Sequence, residues 1–323
     1  VLDEPTTARD KTTEAQVLEL VQGLRERFRA TLVYVSHDLN VIAEMCDRVL
    51  VMLDGRVVEE GATAAVYGRP AHDYTRRLIA AVPRVDRDPG RLAAPSAAEP
   101  LLRVRGLGYR YATRRRWPWS RPAAGERDAL SGVSFDIHPG ETLGLVGESG
   151  SGKSTAAAVI AGLLAPTAGE ILFGGRPLPP LAAARSHETR RRIQIIFQDP
   201  LSSLNPRQRI DAILARPLAL FHGLAGAAAR KRAVELLEAL QLDPAFLDCY
   251  PRQLSGGQQQ RVAIARAFAA SPDLVICDEI TSALDVSVQA QVLALLKGLQ
   301  ERSGTACLFI SHALGVIGQV AGR

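Results

Sequence analysis

The chain has 323 residues, of which 47% are hydrophobic and 23% are charged, a composition typical of globular domains with a sizeable core. Its net charge of +5 is a mild basic excess, which an arginine-rich composition explains better than contact with nucleic acid or an anionic membrane. The four cysteines are far apart, and this spacing argues against a zinc site and a disulfide framework. We expect neither a signal peptide nor a membrane span, because no apolar run approaches about 18 residues.

The first 48 residues repeat residues 276–323 at a constant offset of 275, and about 20 of the 48 paired positions are identical. The pair Asp3-Glu4 corresponds to Asp278-Glu279, and Ser36-His37 corresponds to Ser311-His312. A register held this long without a gap indicates two copies of one domain. We expect both copies to be incomplete, with roughly 175 residues missing before the first one.

Composition and turn residues divide the chain into four regions. Residues 1–60 are the later part of the first copy, and 61–85 are an extension of two short helices. Residues 86–100, rich in alanine and proline, are a linker. The second copy occupies residues 101–323.

Hydrophobic periodicity and turn signals predict the local elements. In chain order they are a helix at 12–29, strands at 31–36, 48–53 and 56–59, strands at 101–111, 133–137, 142–146, 170–173 and 193–197, helices over 210–246 and at 259–270, a strand at 272–277, a helix at 286–302 and a strand at 306–310. A basic segment with two tryptophans, residues 114–121, interrupts the second copy. We interpret it as an exposed hairpin insertion, with nucleic-acid or membrane contact as the alternative.

A glycine-rich loop of the form G-x-x-x-x-G-K-[ST] lies between a predicted strand and a predicted helix. Its residues are Gly147, Glu148, Ser149, Gly150, Ser151, Gly152, Lys153, Ser154 and Thr155. Such a loop turns successive backbone N–H groups towards a phosphate, and the helix N-terminus adds positive partial charge. In this pattern the lysine reaches the terminal phosphates and the first hydroxyl contacts Mg²⁺. The loop therefore predicts a nucleotide-binding site.

A second helix start carries the segment Ser255, Gly256, Gly257 and Gln258. The serine can cap the helix while the glycines expose backbone N–H groups to an anion. With the phosphate loop before it and a strand ending in Asp278-Glu279 after it, the chain resembles the ATP-binding cassette (ABC) ATPases. The resemblance covers residues 101–323, and residues 1–60 resemble the tail of another cassette.

The resemblance implies an α/β fold with a P-loop NTPase core, in which helices flank a mostly parallel sheet. It also implies an antiparallel β subdomain, an α-helical subdomain at about 199–270, and ATP and Mg²⁺ as ligands. Residues 147–155 correspond to the Walker A loop, and Ser154, Gln198 and Asp278 to the groups that hold Mg²⁺.

Further roles follow from the same resemblance. Glu279 corresponds to the general base and His312 to the histidine on the γ-phosphate, while Gln198 senses both that phosphate and the metal. Residues 255–258 correspond to the signature, which faces the nucleotide of the opposite cassette, and 282–285 to the D-loop that bridges the cassettes. Tyr111 corresponds to the aromatic residue that stacks on adenine, with Tyr109 as the alternative.

Some positions depart from the family pattern. Ile280 replaces the usual proline, Arg9 and Lys11 flank Asp10 in the first copy, and Ala313 replaces an acidic residue. None of these changes removes a catalytic group from the second copy.

Residues 196–206 and 72–78 resemble the ATPases of oligopeptide, dipeptide and nickel importers, including fused glutathione-type ones. This implies an ATP-hydrolysing subunit at the cytoplasmic face of the inner membrane, peripheral to it. Its expected partners are permease subunits, a solute-binding protein and the other cassette, with no nucleic acid. The alternative is a soluble tandem ATPase acting on ribosomes or DNA, and a degenerate regulatory cassette is disfavoured because Lys153, Gln198, Glu279 and His312 are present.

Overall fold

The computed structural model describes residues 1–3, 5, 11–28, 31–36, 38–80, 82, 99–111, 128–282 and 284–321. The predicted counterparts Glu4, Asp10 and His37, most of the linker and the insertion at 114–121 lie outside these residues.

The first copy and its extension consist of short strands and helices. They are β1 (Leu2–Asp3), α1 (Lys11–Phe28), β2 (Tyr34–Val35), α2 (Leu39–Met45), β3 (Arg48–Leu53), β4 (Arg56–Ala62), α3 (Thr63–Gly68) and α4 (Asp73–Ala80). Strands β3 and β4 form the predicted hairpin, in which Asp54 and Gly55 both have positive φ (49° and 75°). Positive φ at both central residues is the geometry that Asp-Gly favours in two-residue hairpin turns.

The second copy contains the remaining elements. They are β5 (Leu102–Arg110), β6 (Asp128–Ile137), β7 (Thr142–Val146), α5 (Lys153–Ala161), β8 (Ala168–Phe173), β9 (Arg176–Pro177), α6 (His187–Arg192), β10 (Ile193–Ile196), α7 (Pro200–Ser203), α8 (Ile210–His222), α9 (Gly226–Ala239), α10 (Gly256–Phe268), β11 (Leu274–Asp278), α11 (Val286–Ser303), β12 (Ala306–Ser311) and α12 (Leu314–Val320).

The two copies adopt the same local structure at the offset that the repeat predicts. Helix α1 corresponds to α11 and α2 to α12, residue for residue. The parallel pairing is also the same, because Leu2 lies opposite Tyr34 just as Cys277 lies opposite Phe309.

The four parallel strands β10, β11, β12 and β7 form one sheet in that order. Alternate residues of its strands face two cores, as the two-residue period of a strand requires. Leu274 and Ile276 face α5 and the antiparallel sheet, whereas Val275 and Phe309 face the helices α8–α11. Because both faces are covered, the strands are mostly apolar.

An antiparallel sheet of strands β6, β5, β8 and β9 packs on one side, and the helices α7–α10 lie between β10 and β11 in the chain. The parallel core, the antiparallel sheet and the helical segment confirm the predicted α/β architecture. Among the described residues no single helix is long and apolar enough to cross a membrane, and only the pair α8 and α9, bent by 112°, meets that length and composition together.

Several predicted boundaries differ from the structure, and two late starts in the second copy have a clear physical reason. Strand β6 begins at Asp128 rather than at 133, because its first residues pair with the end of β5 around Tyr109. Helix α10 begins at Gly256 rather than at 259, because Ser255 caps it and Gln258 closes a capping box. Both glycines therefore lie inside the first helical turn.

The carboxylate of Glu59 links the β3–β4 hairpin to the extension through hydrogen bonds. The two oxygens of Glu59 accept hydrogen bonds from the backbone N–H groups of Ala71 (2.7 Å) and His72 (3.0 Å), just before α4. The neighbouring Thr75 hydroxyl and these two N–H groups lower the pKa of Glu59 below its usual value. A lowered pKa means that this stabilisation is present above the usual glutamate pKa and is lost as the pH falls.

We predict that Glu59→Gln lowers the unfolding midpoint at pH 7, because a neutral amide supplies only one acceptor oxygen and no charge. The difference from wild type should shrink as the pH falls below about 4.3 and through the lowered pKa of the native carboxylate, which protonates only at that lower pH. Thermal unfolding at several pH values measures this, with Glu44→Gln on the exposed side of α2 as the control. A difference that does not change with pH would contradict the assignment.

Candidate nucleotide-binding site

The glycine-rich loop follows β7 and leads directly into α5. Gly152 has φ of 95°, and a Cβ atom on it would lie 2.2 Å from the backbone oxygen of Ala129. Only glycine fits such a position, because the backbone is left-handed and another chain segment is in contact. Within the described part of the chain no side chain caps the N-terminus of α5, so its first N–H groups remain available for an anion.

The amino group of Lys153 lies over this loop and is almost fully buried. Its Nζ donates hydrogen bonds to the backbone oxygens of Gly147 (2.7 Å) and Glu148 (2.8 Å). It also lies 3.9 Å from Oε1 of Glu279. The loop therefore places one positive charge beside the free N–H groups at the start of α5.

Asp278 ends β11 beside the first hydroxyl of α5. Ser154 Oγ donates a hydrogen bond to Asp278 Oδ1 over 3.0 Å. Burial raises the pKa of Asp278, and the charge of Glu279 adds to the rise, whereas the bond from Ser154 and the charge of Lys153 oppose it. A buried carboxylate whose pKa is raised gains stability when a cation binds next to it.

These oxygens fit a magnesium ion. Mg²⁺ prefers hard oxygen ligands and is often held by one or two carboxylates together with substrate phosphates. Ser154 and Asp278 supply a hydroxyl and a carboxylate at one point. Within the described ranges no group of three or more His, Cys, Asp or Glu side chains is placed to hold a metal ion.

Glu279 brings together side chains from three other segments. Its Oε2 accepts a hydrogen bond from Gln198 Nε2 (3.1 Å) and lies 3.7 Å from His312 Nδ1. Its backbone has φ of 48°, a region that non-glycine residues rarely adopt. The parallel register explains the convergence, because Gln198, Glu279 and His312 each follow the carboxyl end of a neighbouring strand.

The sequence did not reveal the role of Ser282 in this cluster. Its hydroxyl donates to the backbone oxygen of Glu279 (3.0 Å) and lies 3.4 Å from Gln198 Nε2. Ser282 therefore joins the segment after β11 to the one after β10. Ser282 was assigned to the D-loop from its position three residues beyond Glu279, and that position does not identify a hydrogen bond.

The two candidate aromatic residues lie at the end of β5. Tyr111 is 53% exposed, and its hydroxyl is 3.2 Å from Thr155 Oγ1 at the start of α5. Tyr109 packs against the core and contacts the Tyr111 ring edge-on, with ring centroids 4.9 Å apart. Tyr111 is thus the one whose ring is accessible next to the phosphate loop.

The segment 255–258 starts α10 on the helical side of the molecule. Ser255 Oγ accepts from the N–H of Gln258 (3.4 Å), and Gln258 Oε1 accepts from the N–H of Ser255 (2.8 Å). Ser255 and Gly256 are exposed. This helix start could therefore face an anion on another protein surface.

Two family models match parts of the chain. The one described as ABC transporter matches residues 130–282, which include the phosphate loop, residues 255–258 and Glu279. The one described as the C-terminal region of oligopeptide/dipeptide transporters matches residues 58–117, which include α3 and α4.

Curated relatives include the glutathione import ATP-binding protein GsiA of Salmonella typhi, which is 42% identical to this chain, and that of Escherichia coli strain K12, which is 41% identical. Each alignment covers 100% of this chain and 55% of the relative. The chain thus spans little more than half the length of the curated relatives it matches.

Solved structures share the fold of about two thirds of the chain. The MJ0796 cassette in a dimeric post-hydrolysis state with ADP and Pi has a TM-score of 0.57 and 34% identity, and the alignment covers 67% of this chain and 89% of that one. CbiO1 from Clostridium perfringens, part of the transporter complex cbiONQ, has a TM-score of 0.56, 29% identity, and coverage of 67% and 80%. Together with the site geometry, these similarities show that the chain belongs to the family of ABC transporter ATP-binding proteins.

Proposed function

We propose that this chain is part of an ATP-hydrolysing subunit that powers an ABC importer of peptides, glutathione-like compounds or nickel. The observation that carries the ATPase assignment is the convergence of Lys153, Gln198 and His312 on the carboxylate of Glu279, beside a phosphate loop. The match of residues 58–117 to oligopeptide/dipeptide transporters and the glutathione import relatives support the importer assignment.

In the proposed mechanism the loop and the start of α5 bind the phosphates of ATP. The ammonium group of Lys153 then exchanges its contacts with the carbonyl oxygens of Gly147 and Glu148 for the terminal phosphates. Tyr111 stacks on adenine from the exposed side of the loop. Ser154, Asp278 and Gln198 would hold Mg²⁺, which would neutralise charge on the phosphates.

Hydrolysis needs a water molecule in line with the γ-phosphate. Glu279 orients this water and accepts its proton, while His312 and Gln198 hold the phosphate and the carboxylate in place. The carboxylate of Glu279 is already held in position. Gln198 fixes its side chain and Ser282 fixes its backbone. Because these groups are already in place, their rearrangement adds nothing to the activation free energy of hydrolysis.

The complete site is composite. We propose that residues 255–258 of one cassette close over the Walker A loop of the other, with ATP between them. The exposed start of α10 provides free N–H groups for the γ-phosphate. Hydrolysis then opens the pair, and this motion drives permease subunits that receive solute from a binding protein, while the cassettes stay at the cytoplasmic face of the membrane.

We predict that Glu279→Gln in the full-length protein lowers steady-state ATP turnover by at least about 100-fold, because a general base contributes roughly that much or more. ATP affinity should stay near wild type, since Lys153 and the loop are unchanged. Lys153→Ala should instead abolish nucleotide binding at this loop, and Glu301→Gln on the exposed end of α11 is the matched control. Turnover of Glu279→Gln close to wild type would mean that Glu279 is not the base or that the site of the other cassette alone carries turnover.

The second candidate, a soluble tandem ATPase acting on ribosomes or DNA, makes a different prediction. If the chain serves an importer, the tagged full-length protein should co-purify from detergent-solubilised membranes with integral-membrane permease subunits, and vanadate should inhibit solute uptake by vesicles that contain the complex. Recovery with ribosomes or DNA, without any permease, would favour the alternative.

A further inference from the structure

The start of α10 approaches α11 unusually closely at Gly257. A Cβ atom on Gly257 would lie 2.4 Å from Cγ1 of Val288, a separation that real Cβ atoms essentially never show. The preceding glycine is different, because a Cβ on Gly256 would meet Leu284 at 3.8 Å, an ordinary contact. Among the described residues of this cassette, packing therefore requires glycine at the second of these positions and not at the first.

Val288 has little freedom to turn away from this contact. It lies in the first turn of α11, where a β-branched side chain is largely restricted to one rotamer. Its side chain also packs against the core of the helical segment. A methyl group at Gly257 would therefore have to push α10 and α11 apart.

Hydrogen bonds also hold the opposite side of the α10 start against the segment that precedes it. The buried side chain of Gln259 donates to the backbone oxygens of Pro251 (3.0 Å) and Leu254 (2.8 Å), which precede the capping serine. Arg261 Nε donates to the backbone oxygen of Gly257 over 3.3 Å. Separation of the two helices would consequently move the whole helix start, including its exposed N–H groups.

We propose that Val288 is a positioning residue for the signature and that Gly257 is glycine because α11 lies against it. The inference rests on the proposed function, since the signature acts only when ATP is bound between cassettes. Helix α11 begins at Val286, shortly after Glu279 in the chain. The contact at Gly257 therefore couples the start of α10 to the segment that follows the proposed general base.

The test is a double-mutant comparison in the full-length protein, read by ATP turnover, ATP affinity and thermal unfolding. Gly257→Ala should lower kcat by about tenfold or more, because a displaced helix start no longer holds its N–H groups in the reactive geometry. ATP affinity at the Walker A loop should not change. Val288→Ala combined with Gly257→Ala should restore most of the lost turnover.

Thermal unfolding provides an independent measurement. The effect of Gly257→Ala on the unfolding temperature should have opposite signs in the wild-type and Val288→Ala backgrounds. Alanine is a better helix former than glycine, so Gly257→Ala should raise the unfolding temperature in the Val288→Ala background but lower it in wild type. Gly256→Ala is the matched control, and its turnover should not be improved by Val288→Ala.

A double variant as slow as Gly257→Ala alone, or equal rescue of Gly256→Ala, would overturn the inference. If the wild-type protein hydrolyses no ATP, the proposed function fails, and the unfolding data alone decide. If the effect of Gly257→Ala on the unfolding temperature then reverses sign in the Val288→Ala background, the packing role of Val288 is supported. If the effects of the two substitutions on the unfolding temperature are additive, that role is contradicted.

Discussion

The contact of three side chains with the carboxylate of Glu279 is the interaction on which the account of this protein depends. Lys153, Gln198 and His312 come from three different connections, yet their polar atoms all lie within 3.9 Å of one carboxylate. They can meet only because four parallel strands end at one edge. The backbone of Glu279 is itself in a left-handed conformation, which costs about 1–2 kcal/mol in a non-glycine residue. Bonds from its N–H to Ile310 and from Ser282 to its oxygen hold that conformation.

The charges of the cluster are arranged for a bound anion. The ammonium group of Lys153 is nearly buried and rests on two carbonyl oxygens, which compensate a full charge only in part. Asp278 is buried beside a second carboxylate, and its pKa is raised. Phosphate and a divalent cation would satisfy both groups at once. The free-energy cost of burying these two charged groups is therefore one that a bound nucleotide and cation would remove.

Much of this arrangement was predictable from the sequence because its signals are local. The loop at 147–155, the Asp278-Glu279 pair and the 275-residue repeat depend on spacing along the chain, and the helices of both copies begin at matching positions. Contacts between distant residues were not predictable. The bond between Gln198 and Ser282 and the approach of Gly257 to Val288 join segments separated by many residues, and no local pattern marks them. The start of α10 was placed three residues late because glycine has a low helix propensity, which the Ser255 capping box overrides.

The most direct test of the central claim is a structure of the full-length Glu279→Gln variant with Mg²⁺ and ATP. The account predicts density for ATP along residues 147–155, with the γ-phosphate within hydrogen-bond distance of Lys153, Gln198 and His312 and a cation next to Ser154 and Asp278. Nucleotide bound elsewhere, or a γ-phosphate without contact to these side chains, would contradict it.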